Sequence, residues 1–196
     1  MTNRRVWLEA AGWVALVAAG AGVRLLLRDV PNFAPVAALS LFGGFFFRSR
    51  IAAMLLPLTV MAASDTVIGG YDWDLMAVVY AALTLPSLFG AALQRVAPNA
   101  QGRSLAGCTA VLMSASLASS VLFFLSTNLA VWAWSNMYDH TSAGLINCYV
   151  RALPFFRHTL EGDLLFTVVL FGGHAAYKAW APAKRSEQIG AEQLDG

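Results

Sequence analysis

Long apolar runs separated by short polar segments dominate this chain and predict membrane-spanning helices. A helix that crosses a bilayer needs about 20 mainly apolar residues, within a range of roughly 17–25. Five segments meet this length. A sixth, Phe33–Phe47, is short but sufficient if its flanks are lined by protein or the bilayer thins. The predicted spans are Val6–Leu27, Phe33–Phe47, Ile51–Gly69, Leu75–Gln94, Ser104–Ser126 and Leu160–Trp180.

The composition supports this interpretation. Of the 196 residues, 58% are hydrophobic and 12% are charged, whereas a soluble domain has about 25% charged residues. A soluble enzyme and a disordered chain are therefore excluded. The net charge of +2 comes from dispersed basic residues, which excludes a nucleic-acid partner. We predict an all-α integral membrane protein with one six-helix domain over residues 1–182 and a polar cytoplasmic tail at 183–196.

The distribution of basic residues predicts the orientation, because cytoplasmic loops are enriched in Lys and Arg. If the N-terminus is cytoplasmic and the six helices alternate, nine of the 13 basic residues lie at inner ends and four at outer ends. Both termini are therefore predicted to be cytoplasmic. The four outer residues are Arg24, Arg28, Arg151 and Arg157.

The first apolar segment allows two interpretations. Two arginines, an apolar stretch and the small residues Ala19-Gly20-Ala21 also resemble a cleavable signal peptide. The apolar stretch continues past that site to Leu27, which favours a retained helix.

Polar residues inside spanning segments are costly, and by default they mark a functional site. Here they share the outer side: Arg24 and Asp65 near helix ends, Asn128 after the fifth helix, and Glu161 and Asp163 at the start of the sixth. The inner halves are almost purely apolar. This pattern predicts a polar cavity that opens outward. Alternatively, Asp65 lies at the headgroup level, and Glu161 and Asp163 complement the helix macrodipole.

Two outer loops have unusual sequences. Pro31 and Pro35 predict a stiff, turned connection between the first two helices. Between helices 5 and 6, residues 127–159 predict a long aromatic outer loop, in which Ser142–Leu153 could form a short helix lying on the outer face. The alternative for Trp132 and Trp134 is an interfacial aromatic belt.

The sequence shows no catalytic motif. No Ser/His/Asp arrangement and no metal-ligand spacing is visible. Haem would need two histidines that face each other, which His140, His158 and His174 do not offer. We expect no enzyme activity, no metal and no cofactor.

Several motifs together resemble a family of uncharacterised bacterial six-helix membrane proteins, over about residues 24 to 175. The matching stretches are Pro31 to Ala38 with Leu41 to Gly44, Ser64-Asp65 with Gly69, Thr127-Asn128 with Val131-Trp132, Tyr149 with Leu153 to Arg157, and Thr159 to Leu164.

That family is in turn similar to the substrate-binding S components of energy-coupling-factor (ECF) transporters. The resemblance implies an S-component-like bundle in the bacterial cytoplasmic (inner) membrane. It also implies capture of a small water-soluble, vitamin-like nutrient in an outward-facing cavity. A transmembrane coupling subunit with ATPases would dock on a small-residue stripe of the first helix, which Ala11, Ala15 and Ala19 match. The chain departs from this pattern in lacking a vitamin-specific signature, and a solitary S component is a second arrangement.

On this interpretation the protein captures a substrate and catalyses nothing. The residues expected to supply hydrogen bonds and charge are Arg24, Asn32, Asp65, Asn128, Arg157 and Asp163, and those expected to supply stacking surface are Phe33, Trp132 and Phe155. The alternative is a non-transporting scaffold or assembly protein, or an intramembrane enzyme of unknown chemistry. Its polar residues would pair internally, for example Asp65 with Arg24 or Arg157. An outer cavity of a few hundred Å³ favours binding, and a filled interior favours the alternative.

Overall fold

The computed structural model describes the backbone of residues 2–70, 72–96 and 105–194, and this part of the chain is helical with short connections. Its helices are α1 (Thr2–Leu26), α2 (Val36–Phe46), α3 (Arg50–Ile68), α4 (Trp73–Thr84), α5 (Pro86–Val96), α6 (Leu105–Trp134) and α7 (Ser142–Leu194). The predicted all-α class is confirmed.

Five apolar segments of the described chain are long enough to cross a bilayer, which indicates a multi-pass membrane protein. They are Val6–Leu26, Arg50–Ile68, Trp73–Gln94, Gly107–Trp134 and Ser142–Ala181. The third of them combines α4 and α5. These helices separate at Leu85 because Pro86 has no N–H to continue the hydrogen-bond ladder.

The short helix α2 lies at the centre of the bundle. Its 11 residues extend about 16 Å, well below the roughly 30 Å of a hydrocarbon core. Nine consecutive residues from Val36 to Gly44 are buried. Gly44 and Gly90 allow α2 and α5 to touch along their backbones, since a Cβ on Gly44 would lie 1.9 Å from the carbonyl oxygen of Ser87. Small residues at such crossings permit this approach.

Side-chain contacts define the helix directions. The Trp13 indole donates to the carbonyl of Ala52 over 2.9 Å, and Arg24 contacts Asp65, so α1 and α3 run in parallel. Thr167 donates a hydrogen bond to Ser116, and Ser120 donates one to Asp163. Because the later residue of α6 contacts the earlier residue of α7, these two helices are antiparallel. The ends of α1, α3 and α6 and the first half of α7 meet at one end of the bundle, which we call the cavity end.

The prediction of a long aromatic loop over residues 127–159 is wrong. The fifth predicted span continues to Trp134 and α7 begins at Ser142, so the connection is residues 135–141 only. Polar side chains that suggested a helix end are instead bonded to carbonyls of the preceding turn. Thr127 Oγ1 donates to the carbonyl of Phe123 over 2.7 Å, and Asn128 Nδ2 donates to that of Phe124 over 2.8 Å.

The predicted helix start at Ser142 is confirmed, but this helix does not end near Leu153. The Thr141 hydroxyl accepts a hydrogen bond from the backbone N–H of Gly144 and so caps the N-terminus. From there α7 runs for 53 residues to Leu194, about 80 Å. It includes the predicted sixth span and most of the predicted polar tail, while residues 195 and 196 lie outside the described part.

The predicted turned connection between the first two helices is confirmed. Residues 27–35 form successive turns, and Asn32 adopts a φ of 61°. Asn is one of the few residue types that visit this left-handed region readily. This connection, which we call the 27–35 loop, lies at the cavity end.

Candidate functional site

A cavity of about 390 Å³ opens at the cavity end of the bundle. The 27–35 loop and residues of all the helices except α5 line it, and most of the lining is apolar. The polar lining residues are Arg24, Arg28, Asn32, Thr127, Thr159 and Asp163. Both the size and the mixture of apolar wall with few polar groups are typical of small-molecule sites. We call it the main cavity.

The 27–35 loop is fixed against α7 and so forms a wall of the main cavity. The ring of Phe33 packs on that of Phe166, with 5.8 Å between the ring centroids. Gly162 of α7 lies beside the loop, and a Cβ there would be in van der Waals contact, at 3.4 Å, with Phe33 and with the backbone nitrogen of Ala34. The predicted residues Asn32 and Phe33 are thereby placed in the cavity lining.

A smaller cavity of about 200 Å³ adjoins the main one. Asn32 and Thr127 line both cavities, and the predicted residues Asn128 and Phe155 line the smaller one. Six of the nine predicted binding residues therefore line one of these two cavities. They are Arg24, Asn32, Phe33, Asn128, Phe155 and Asp163.

Asp65 is held in an internal ion pair outside the cavity lining. Nη1 of Arg24 lies 2.5 Å from Asp65 Oδ1, and the Tyr80 hydroxyl donates to Oδ2 over 2.8 Å. Arg24 also donates to the hydroxyl of Ser64. The side chain of Asp65 is 7% exposed and that of Arg24 is 16% exposed. We call these four residues the arginine cluster. The charges of Arg24 and Asp65 compensate each other. Arg24 therefore lines the cavity with a positive charge that is already neutralised.

Asp163 is also buried, but no basic residue that the structure describes pairs with it. The residue is 3% exposed, lines the main cavity, and accepts one hydrogen bond, from Ser120 Oγ to Oδ2 over 2.6 Å. Within the described part of the chain no Lys, Arg or His approaches this carboxylate within 4.0 Å. A buried carboxylate without a cation is strongly disfavoured in an apolar protein.

The other two predicted residues have structural partners at the surface. Trp132 Nε1 donates to the carbonyl of Asp139 over 3.0 Å, and its ring contacts His140, so it fastens the connection between α6 and α7. Arg157 pairs with Glu161 one turn later over 2.8 Å, and its side chain is 77% exposed. Neither residue lines the two cavities.

Sequence reasoning missed the polar seam that supports Asp163. Thr167 Oγ1 donates to Ser116 Oγ over 3.1 Å, and these two residues and Ser120 are almost completely buried between α6 and α7. The signal was present in the sequence. Ser116 and Ser120 are four residues apart, as are Asp163 and Thr167, and this spacing puts each pair on one helix face.

The main cavity has the size and the polar groups to hold a small ligand. Within the described residues, no three His, Cys, Asp or Glu side chains lie together as metal ligands would. The main cavity offers the carboxylate of Asp163, the neutralised guanidinium of Arg24, the exposed guanidinium of Arg28, amide and hydroxyl groups, and the Phe33 ring.

A model of a family of unknown function, DUF6580, matches residues 2–184 of the chain. The chain belongs to this family. The match includes every residue that lines the two cavities, so the DUF6580 region contains the whole candidate site. No curated protein and no solved structure matches the chain. The DUF6580 description states no activity.

Proposed function

We propose that this protein is a substrate-binding membrane subunit for uptake of a small water-soluble nutrient, similar to the S component of an ECF transporter. The observation that carries the proposal is the main cavity of about 390 Å³ at one end of the bundle. The nine-to-four distribution of basic residues favours an orientation in which that end faces the outside of the cell. The membrane would be the bacterial cytoplasmic membrane.

The nutrient would bind between the 27–35 loop and the facing halves of α6 and α7. Arg24, Asn32 and Asp163 would supply hydrogen bonds and charge, and Phe33 would supply a stacking face. Asn128 and Phe155 would extend the site into the smaller cavity. The first predicted role of Asp65, direct contact with the ligand, gives way to a positioning role, because Asp65 holds Arg24.

A coupling subunit would dock on α1. Ala11, Ala15 and Ala19 are exposed on the face of α1 that points away from α3, and a stripe of small residues permits close approach of a second helix. Ala15→Leu is expected to leave ligand binding intact and to abolish transport or co-purification with such a subunit. Normal transport by Ala15→Leu would remove the stripe from the proposal.

One observation favours the second candidate function, a non-transporting scaffold or assembly protein or an intramembrane enzyme. Arg24 and Asp65 form the internal pair that this alternative predicts. The pair neutralises part of the polar end, but a cavity of about 390 Å³ remains beside it, so we favour binding.

Native mass spectrometry of gently purified protein tests the binding function. We expect a co-purified small molecule on the wild type and its loss in Thr127→Trp, which places a large side chain in both cavities. Leu129→Trp is the matched control, since Leu129 is 48% exposed and lies outside both linings. A small molecule retained by Thr127→Trp, or absent from the wild type, would contradict the proposal.

Single-cysteine labelling tests the orientation, in a background that lacks both native cysteines. A cysteine at Asp72, between α3 and α4, is expected to react with an impermeant reagent added outside. A cysteine at Ala100, which lies outside the described residues, is expected to react only from the cytoplasmic side. The reverse pattern would turn the cavity toward the cytoplasm and overturn the proposed uptake.

A further inference from the structure

The main cavity is lined by one deep cation, Arg24, and one deep carboxylate, Asp163, whose partners differ. Of the two deep charged residues in its lining, Arg24 is already compensated by Asp65. Asp163 is not: its Oδ2 accepts from Ser120, and no described residue donates to its Oδ1. Arg28 also lines the cavity, but its side chain is 59% exposed and it lies 4.0 Å from Asp29, so it belongs to the solvated rim.

We propose that the main cavity binds a small organic cation, such as a protonated amine, whose positive charge pairs with the carboxylate of Asp163. This proposal rests on the proposed binding function and adds the charge of the substrate. A buried carboxylate needs a cation or a full set of donors. The described protein supplies one hydroxyl, and a cationic ligand would supply the charge and the donors that are missing.

The surroundings of Asp163 favour a cation that also has apolar groups. The main cavity is lined by Phe33, Phe123 and aliphatic side chains, and aromatic faces attract cations. Thr159 lies one turn before Asp163 and also lines the cavity, but its hydroxyl donates to the carbonyl of Phe155. The Thr159 oxygen is therefore left to accept a hydrogen bond from an ammonium N–H.

Three probes of nearly equal size test the proposal: 2-phenylethylammonium, 2-phenylethanol and phenylacetate, which are cationic, neutral and anionic at neutral pH. Their affinities for the purified full-length protein in lipid nanodiscs would be measured by titration calorimetry. We expect the ammonium probe to bind at least about tenfold more tightly than the alcohol, because a hydrogen bond to a charged group is the stronger kind. The anion should bind most weakly.

The selectivity should depend on Asp163. In Asp163→Asn the ratio between the ammonium probe and the alcohol is expected to fall to within about twofold. Glu161→Gln is the matched control, because Glu161 is on the same helix, is exposed and lies outside the cavity lining; it should keep the wild-type ratio. If Asp163→Asn does not fold, Thr159→Lys provides a second test. Its ammonium group, one turn away, would pair with Asp163 and remove the preference.

The outcomes separate this proposal from the proposed function. Equal affinities for the ammonium probe and the alcohol, or a preference for the anion, would overturn the cationic ligand and leave a binding cavity in place. A preference that survives Asp163→Asn, or Thr159→Lys if Asp163→Asn does not fold, would remove Asp163 as the counter-ion. No binding by any of the three probes would count against the cavity as a binding site, and therefore against the proposed function too.

Discussion

Asp65 and Asp163 are both buried carboxylates at the same end of the bundle, yet their surroundings differ. Asp65 has an arginine and a tyrosine hydroxyl and lies outside the cavity lining. Asp163 has one serine hydroxyl and lines the cavity. In a chain with so few charges, we use the completeness of the partner set to distinguish a group that holds helices together from one that, on the proposed function, pairs with a ligand. Burial alone does not.

The largest expected effect comes from breaking the arginine cluster. Arg24→Met leaves Asp65 buried without its cation, so the free energy of unfolding should fall by about 3–5 kcal/mol. Reversible unfolding in mixed detergent micelles measures this loss. Arg157→Met is the control and should cause no measurable change, because the Arg157–Glu161 pair is exposed to solvent.

A double variant sharpens this prediction. Arg24→Met with Asp65→Leu removes both charges, and the apolar replacement should recover most of the stability that Arg24→Met loses. A double variant that loses the sum of the two single effects would show that the two residues do not act as a pair.

Removing the hydroxyl donor of Asp163, Ser120, should cost more stability than removing the hydroxyl donor of Asp65, Tyr80. Ser120→Ala removes the one donor of Asp163 and should lower the unfolding free energy by about 1.5–3 kcal/mol. Tyr80→Phe leaves Asp65 with Arg24, so its cost through this bond should be closer to about 1 kcal/mol. Thermal unfolding of both variants in one detergent makes the comparison. A larger loss for Tyr80→Phe would contradict the different roles of the two sites.

The smallest expected effect concerns the 27–35 loop, which belongs to the cavity region. Asn32 has a φ of 61°, where an ordinary side chain costs roughly 1–2 kcal/mol. Asn32→Ala should therefore lower stability by about 1 kcal/mol, and Asn32→Gly should be nearly neutral. Probe affinity should fall in both variants, because both remove the amide from the cavity wall. Equal stability of the alanine and glycine variants would place the loop in another conformation.

Much of the fold followed from the sequence, because apolar runs predict helices wherever backbone groups must bond within the membrane. The pairing of Arg24 with Asp65 was anticipated as one alternative. The extension of α6 beyond Ser126 was not, since a polar residue at a helix end and one bonded back to its own helix look alike in a sequence. Ser126, Thr127 and Asn128 are all of the second kind.

The candidate site was predictable to a lesser extent. Residues near the helix ends that the sequence predicts to be outer do gather at one end of the bundle, but whether each faces the cavity depends on helix rotation and on its partners. Trp132 bonds the neighbouring loop, and Arg157 finds Glu161 four residues on, a spacing that forecasts a surface pair. Among the described residues, Asp163 is the uncompensated deep charge of the cavity because Arg24 pairs with Asp65. The sequence does not reveal which of the two carboxylates Arg24 contacts.

The most direct test of the account is the unfolding free energy of Asp65→Asn and Asp163→Asn, measured side by side in the same micelles. The two substitutions are chemically identical, so the difference reports the surroundings. We predict that Asp65→Asn loses about 3–5 kcal/mol, because it leaves Arg24 without its counter-charge. Asp163→Asn should lose none, because it removes a buried charge that no described basic residue compensates. Equal losses, or a larger loss for Asp163→Asn, would contradict the assignment of Asp163 to ligand binding.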